Sequence, residues 1–330
     1  MNRKLLVLLA LLAIAAIAAY RFLDWDFNWS LFLVTLRQVH PGWLAASVAA
    51  TLVSYIVRAF RWQVLLANLK HIPLGTLTGA TIVGFSAIYV LGRAGELVRP
   101  IWLTRREQTP FSSSVATIVA ERFLDSLLLI VVFAAALFQV EVSSAPGTAL
   151  AYLKEAAWLV VATSAAAVVL LIAFHSNVHR IVRYIPFSKA AALLNDFAKG
   201  LSFLGSGRSL AWALAHSALL WLLIVLQFWF LLRGMNFEFS AAAASLVLVV
   251  TALGSVAQIP GVGGGFQAGF AFAMATFFLV PAETAIAASL IAWVFSYAPT
   301  VLVAVAYLLI QGETIRGFRT LMRNPQSAIL

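Results

Sequence analysis

Cysteine is absent from all 330 residues, which excludes disulfides, thiolate catalysis and cysteine metal sites. Charge is nearly as scarce, with 12 acidic and 22 basic residues making only 10% of the chain against 63% hydrophobic. With a mean hydropathy of +0.97 and apolar residues gathered in long runs, that scarcity excludes a soluble protein. It specifies an all-α, polytopic integral membrane protein. No Walker-type phosphate loop occurs, so nucleotide hydrolysis is not expected, and no cofactor is called for. The formal charge of +10 brings nucleic acid to mind. The basic residues, however, sit in short clusters beside apolar spans, the pattern of orientation signals and of contacts with anionic inner-leaflet lipids, so no nucleic-acid partner is expected. His175 and His179, four apart, lack a third ligand, and no metal site is expected there.

What charge there is stands where hydrocarbon tolerates it least. Gly92-Arg93-Ala94-Gly95-Glu96-Leu97-Val98-Arg99-Pro100 places three charges and two glycines directly behind an apolar run. A charged side chain at membrane depth is costly and is kept mainly where it pairs, faces a cavity or touches a substrate. The preceding run, 76–91, reaches only about 24 Å as a helix, short of a hydrocarbon core of about 30 Å. Lys70 before it and Arg105-Arg106 after it both prefer the cytoplasm, so an even number of crossings separates them. A re-entrant hairpin meets that condition: a half-helix enters, turns at Gly92 and Gly95, and returns through Leu97 to Leu103. Irregular backbone of this kind survives at depth only when buried in protein or lining a wet cavity.

The remaining spans follow from charge parity. Leu5 to Ala19 behind Arg3-Lys4 reads as a signal anchor in preference to a cleaved signal peptide, and either choice puts the next loop outside. Residues 20–42 carry Trp25 and Trp29 and read as an external amphipathic connection. The second span runs from Trp43 to Val57, with Arg58 and Arg61 continuing the helix into water. These two arginines, three apart on one face, either anchor and snorkel or cradle a lipid phosphate. The third span, Ser113 to Val140, holds Glu121, Arg122 and Asp125. They form either an internal ion pair that orients the helix against Arg93 or Arg99, or a charged wall beside the re-entrant loop. Residues 156–174 return inside to a basic loop, and 210–232 cross again. His216 within that span reads as a hydrogen-bonded packing residue. A second apolar segment, 240–280, is broken at Pro260, Gly261, Gly263, Gly264, Gly265 and Gln267. Two crossings and one re-entrant pair fit it equally well. The last span, 285–310, ends inside because Arg316, Arg319 and Arg323 follow. Both termini are thus cytoplasmic, in a multi-pass cell (inner) membrane protein.

The order span, span, broken segment, span occurs twice with opposite orientation, in halves of about 1–145 and 150–315 within a single transmembrane domain, before a tail at 316–330. Inverted repeats with interrupted segments at corresponding positions point to a transporter site near the midplane. Gly92 to Arg99, the block Glu121-Arg122-Phe123-Leu124-Asp125 and the Pro260-Gly261 glycine cluster together resemble the lysylphosphatidylglycerol synthase transmembrane region, or flippase-like, family. The resemblance covers nearly the whole chain and includes the flippase half of the multiple peptide resistance factor. It implies an integral membrane lipid translocase with paired re-entrant elements. Two departures limit it: the chain ends about twenty residues after its last span, where the resistance factor continues into a soluble synthase domain, and Gln267 stands where many relatives have glutamate.

These readings lead to a carrier of an anionic phospholipid or polyprenyl-phosphate-linked head group. Arg93 and Arg99 supply positive charge, glycine backbone groups supply N–H donors, and Glu96, Glu121, Arg122 and Asp125 orient them. Glu96, Glu121 and Asp125 are the candidate proton sites for ion coupling. Two other classes compete. An intramembrane lipid head-group transferase needs a metal cluster or a nucleophile with its base, and neither is evident. A non-transporting scaffold for envelope enzymes leaves the paired broken segments without a purpose. Homo-oligomers and envelope-enzyme partners stay open.

Overall fold

In a computed structural model the described residues are 27–140, 187–259 and 263–311, with single residues between 159 and 183. The expected N-terminal anchor at 5–19, the loop after 140, nearly all of the span 156–174, the two histidines His175 and His179 and the tail 316–330 lie outside the described residues. The helices are α1 (Trp29–Arg37), α2 (Pro41–Leu66), α3 (Leu74–Leu91), α4 (Val98–Glu107), α5 (Phe111–Gln139), α6 (Ser188–Gly200), α7 (Gly207–Gly234), α8 (Ala241–Gly254), α9 (Gly265–Phe278) and α10 (Ala282–Ile310). Of these, α2, α3, α7 and α10 are long and apolar enough to cross a membrane. The all-α polytopic expectation holds.

Length alone misplaces α3. It qualifies as a crossing, yet its continuation comes back: a 3-10 turn over Gly92–Leu97 leads into α4, and Lys70 Nζ ahead of α3 lies 3.0 Å from Glu107 Oε2 at the end of α4. Both arms therefore open at one end of the bundle. Gly95 packs against the backbone of Ala87 and Ile88, so close that a Cβ would overlap it. That contact folds the turn back along the arm it left.

The second broken segment is also a hairpin. Helices α8 and α9 hold 14 residues each, about 21 Å of rise and too short to cross. The rings of Phe239, before α8, and Phe278, at the end of α9, lie 4.4 Å apart, so both arms open at one end. The arms close where Gly265 meets the Gly254 carbonyl, leaving no room for a side chain. Between them Gln258 and Ile259 pair antiparallel with Gly264 and Gly263, whose φ values of +82° and +92° suit glycine. Of the two possibilities for 240–280, the hairpin is the one adopted.

The two hairpins open at opposite ends. One end gathers Lys70 with Glu107, Arg106 with Gln311, and Ser113 with the Asp196 carbonyl. The other gathers His40 with Gly234, Asn236 with Gln38, and Asn28 with Glu283. Helix α1, capped by the Asn28 carboxamide, lies at this second end, as the external connection requires. Between the ends α2 and α7 run antiparallel: His40 meets Gly234, Ser47 Oγ donates to the Gln227 carbonyl, and Arg61 donates to Ser217. One apolar core surrounds each hairpin: Trp62, Leu77, Val83 and Trp102 at the first, and Phe228, Val247, Phe270 and Ala288 at the second.

Candidate functional site

Arg61 is not in water. Its side chain is wholly buried, and Nη1 and Nη2 donate to the two carboxylate oxygens of Asp125 at 2.5 and 3.3 Å. Nη1 also donates to Ser217 Oγ at 3.1 Å. The expected exit of α2 near Val57 is therefore corrected. The helix stays inside protein to Leu66, because α5 supplies the carboxylates that make a buried guanidinium tolerable.

A second fork joins the first hairpin to α5. Arg99 Nη1 and Nη2 donate to Glu121 Oε2 and Oε1 at 2.6 and 3.1 Å, with both side chains at most 2% exposed. Gly84 makes room for the Arg99 stem, and Trp62 lies under its guanidinium at 4.0 Å while donating Nε1–H to Thr117. Arg61 approaches Glu121 to 4.0 Å and Arg122 approaches Asp125 to 3.9 Å, so the two forks form one network. Arg122 approaches Asp125 as their spacing of three allows, and Arg99, one of the two arginines named as partners for this helix, is the one that pairs with Glu121.

In front of this network lies a cavity of about 300 Å³. Its charged lining consists of Arg58 from α2, Glu96 from the tip of the first hairpin, and Arg122 from α5. The Arg58 guanidinium stacks over Phe85 at 4.6 Å, makes no ion pair among the described residues, and leaves its buried Nε without a partner. The second hairpin contributes Thr251, Ser255 and Phe266, and α7 and α10 contribute Gln227, Ser296 and Tyr297. The hairpin tips approach across the cavity through rings. Tyr55 and Tyr89 share a hydrogen bond of 2.9 Å, Tyr89 stacks on Tyr297 at 4.0 Å, and Tyr297 meets Phe266 at 5.2 Å.

The residues singled out from sequence thus divide. Arg58, Glu96 and Arg122 face the cavity; Arg61, Arg99, Glu121 and Asp125 stand behind it and hold its wall. Arg93 belongs to the 3-10 turn, with its side chain outside the described set. Pro260 and Gly261 lie outside the described residues. Gly263, Gly264, Gly265 and Gln267 form the second tip and do not line the cavity. The N–H donor that a glycine cluster leads one to expect at Gly264 is already taken by Gln267 Oε1, at 2.7 Å. His216 bonds the Trp212 carbonyl one turn back, as a packing residue does. Thr51, Ser54 and Tyr55 escaped the sequence reading. The signal was there: with Arg58 they recur at i, i+3, i+4 and i+7, a polar stripe along one face of an apolar helix.

The model of the lysylphosphatidylglycerol synthase TM region matches residues 6–304 of the chain. The UPF0104 membrane protein MJ1595 of Methanocaldococcus jannaschii is 26% identical over 295 residues, covering 82% of this chain and 85% of that protein. No solved structure matches.

Proposed function

The chain belongs to the lysylphosphatidylglycerol synthase transmembrane-region family, and from that premise we propose that it is a lipid carrier, moving an anionic phospholipid or polyprenyl-phosphate head group between leaflets. The observation that carries this reading is Arg58, a guanidinium held at membrane depth, facing a cavity beside Arg122 and without an ion-pair partner among the described residues. A positive charge so placed is costly unless something arrives to meet it, and a phosphate oxygen meets a guanidinium best. Acyl chains stay in lipid while the head group occupies the cavity between the hairpin tips. Exposed Val90 and Leu97 on one tip, and Leu253 and Val256 on the other, suit that apolar boundary.

In this reading the halves 1–145 and 150–315 are inverted repeats that rock about the α2–α7 seam. The basic end, with Lys70, Arg105 and Arg106, is cytoplasmic in the cell (inner) membrane. Glu96 lines the cavity and is a candidate proton site beside Glu121 and Asp125, which pair with arginines in its wall. Carriage is favoured over group transfer because the lining hydroxyls of Thr51, Ser54 and Thr251 donate to helix carbonyls, not to a base that would activate them.

The test is Arg58→Gln and Arg122→Gln in protein reconstituted into vesicles, followed by the rate at which labelled anionic lipid reaches the opposite leaflet. Each change is expected to slow transfer at least about tenfold, the loss of one charge-assisted hydrogen bond. Wild-type rates in both folded variants would sink the proposal.

A further inference from the structure

Three guanidinium groups from three different helices converge on one ring, that of Phe85. Phe85 belongs to α3, the first arm of the first hairpin; it is 8% exposed and lines the cavity. Arg58 from α2 lies over its ring at 4.6 Å, Arg99 from α4 at 5.5 Å and Arg122 from α5 at 5.7 Å. All three fall within the roughly 6 Å over which a ring's quadrupole attracts a cation. Arg99 is held by other means as well, through its fork onto Glu121 and through Trp62 at 4.0 Å. Arg58 and Arg122 are not so held. Arg58 makes no ion pair among the described residues, Arg122 reaches Asp125 only at 3.9 Å, and the buried Nε of each lacks a partner. The Tyr55 ring meets Phe85 edge to face, at 5.5 Å and 62°, which fixes the tilt of the ring beneath them.

A carboxylate and a ring steady a buried guanidinium in different ways. A carboxylate forks onto the N–H groups, as Asp125 does with Arg61 and Glu121 with Arg99, and so cancels the charge and occupies the donors. A ring attracts the charge through its face and leaves it uncancelled, with the in-plane N–H groups still available. We propose that Phe85 is the positioning residue of this site: it holds Arg58, and less closely Arg122, toward the cavity with charge and donors intact until an anion arrives. The inference rests on the carrier reading above and deepens it, by giving the means that keeps an unpaired guanidinium at membrane depth. A carboxylate in this place competes with the arriving anion. An aliphatic side chain fills the volume without any pull on the charge.

The experiment replaces Phe85 by phenylalanines bearing one, two or three ring fluorines, which keep its shape while weakening the negative face step by step. The full chain is reconstituted into phosphatidylcholine vesicles, and the rate at which trace phosphatidylglycerol, labelled on an acyl chain, changes leaflet is measured. The logarithm of that rate is expected to fall in even steps, to about a tenth of the wild-type rate at three fluorines, within the range of a desolvated cation–π contact. Phe85→Leu is expected to be at least as slow. In an Arg58→Gln background the same series should be much flatter, because the cation nearest the ring is gone. A rate indifferent to fluorine overturns the inference and leaves the carrier standing. A slope as steep in Arg58→Gln as in the wild type overturns it too, since the ring then acts by packing alone.

The carrier reading itself falls if Arg58→Gln alone leaves the rate unchanged, or if the wild type moves no lipid. In either case the role of Phe85 is read from binding, as protection of the detergent-purified protein against thermal unfolding by inorganic phosphate. The phosphate concentration that gives half-maximal protection should rise about tenfold from the wild type to the trifluorinated form. A constant concentration across the series, or no protection of the wild type, overturns the positioning role.

Discussion

The two hairpins meet across one cavity but are held by different physics. The first is fastened by charge: Arg99 on its returning arm forks onto Glu121 of α5, and Arg61 ties the same helix to α2 through Asp125. The second is fastened by closeness, with Gly254 and Gly265 bringing backbone against backbone and only uncharged groups at its tip. A charge clamp excludes alternative pairings but penalises any motion that separates its members, because each partner is then left unpaired in low dielectric. Glycine packing has no such penalty and depends on shape. In the carrier proposed above, this difference assigns the site to the first hairpin and the movement to the second.

The largest effect should come from breaking the clamp. Glu121→Gln leaves Arg99 buried without its counter-charge and is expected to destabilise the fold by about 3–5 kcal/mol. Arg99→Met/Glu121→Met should recover most of that loss in a thermal melt. If the single change costs nothing, the charge clamp is not what holds the first hairpin. Next comes Gly265→Ala, whose Cβ meets the carbonyl of Gly254 and must push the arms apart, at about 1–3 kcal/mol. It should slow lipid transfer without affecting the Arg99–Glu121 pair. The smallest is Tyr89→Phe, which removes the Tyr55–Tyr89 hydrogen bond between α2 and the first hairpin. Interhelical bonds of this kind contribute about 0.6 kcal/mol. A larger shift in melting would mean that this bond, and not the charge clamp alone, fastens the first hairpin.

Much of this arrangement was legible in the sequence, and the failures have physical causes. Charge parity located the first hairpin, since a turn back to the same side reconciles Lys70 with Arg105-Arg106, although the run ahead of it proves long enough to cross. Within α5 the Arg122–Asp125 approach was visible as spacing. Arg61 was not placed correctly because an arginine near a helix end snorkels or turns inward according to whether a carboxylate waits for it, and Asp125 lies 64 positions away. The hydroxyl wall was missed because serine and threonine satisfy their own protons on the preceding turn and so fit unremarkably into any apolar helix. The glycine cluster was read as an anion cradle, whereas the Gly264 N–H is held by Gln267.

Arg58, Arg61, Arg99 and Arg122 face Glu96, Glu121 and Asp125, so the described side chains of the constellation carry one positive charge in excess. A phosphodiester monoanion between Arg58 and Arg122 brings that excess to zero. Moving one elementary charge through a membrane potential involves about 2.3 kcal/mol per 100 mV. In the carrier proposed above, a membrane potential is therefore expected to act more on the empty constellation than on the loaded one, and to bias the side to which the vacant cavity returns.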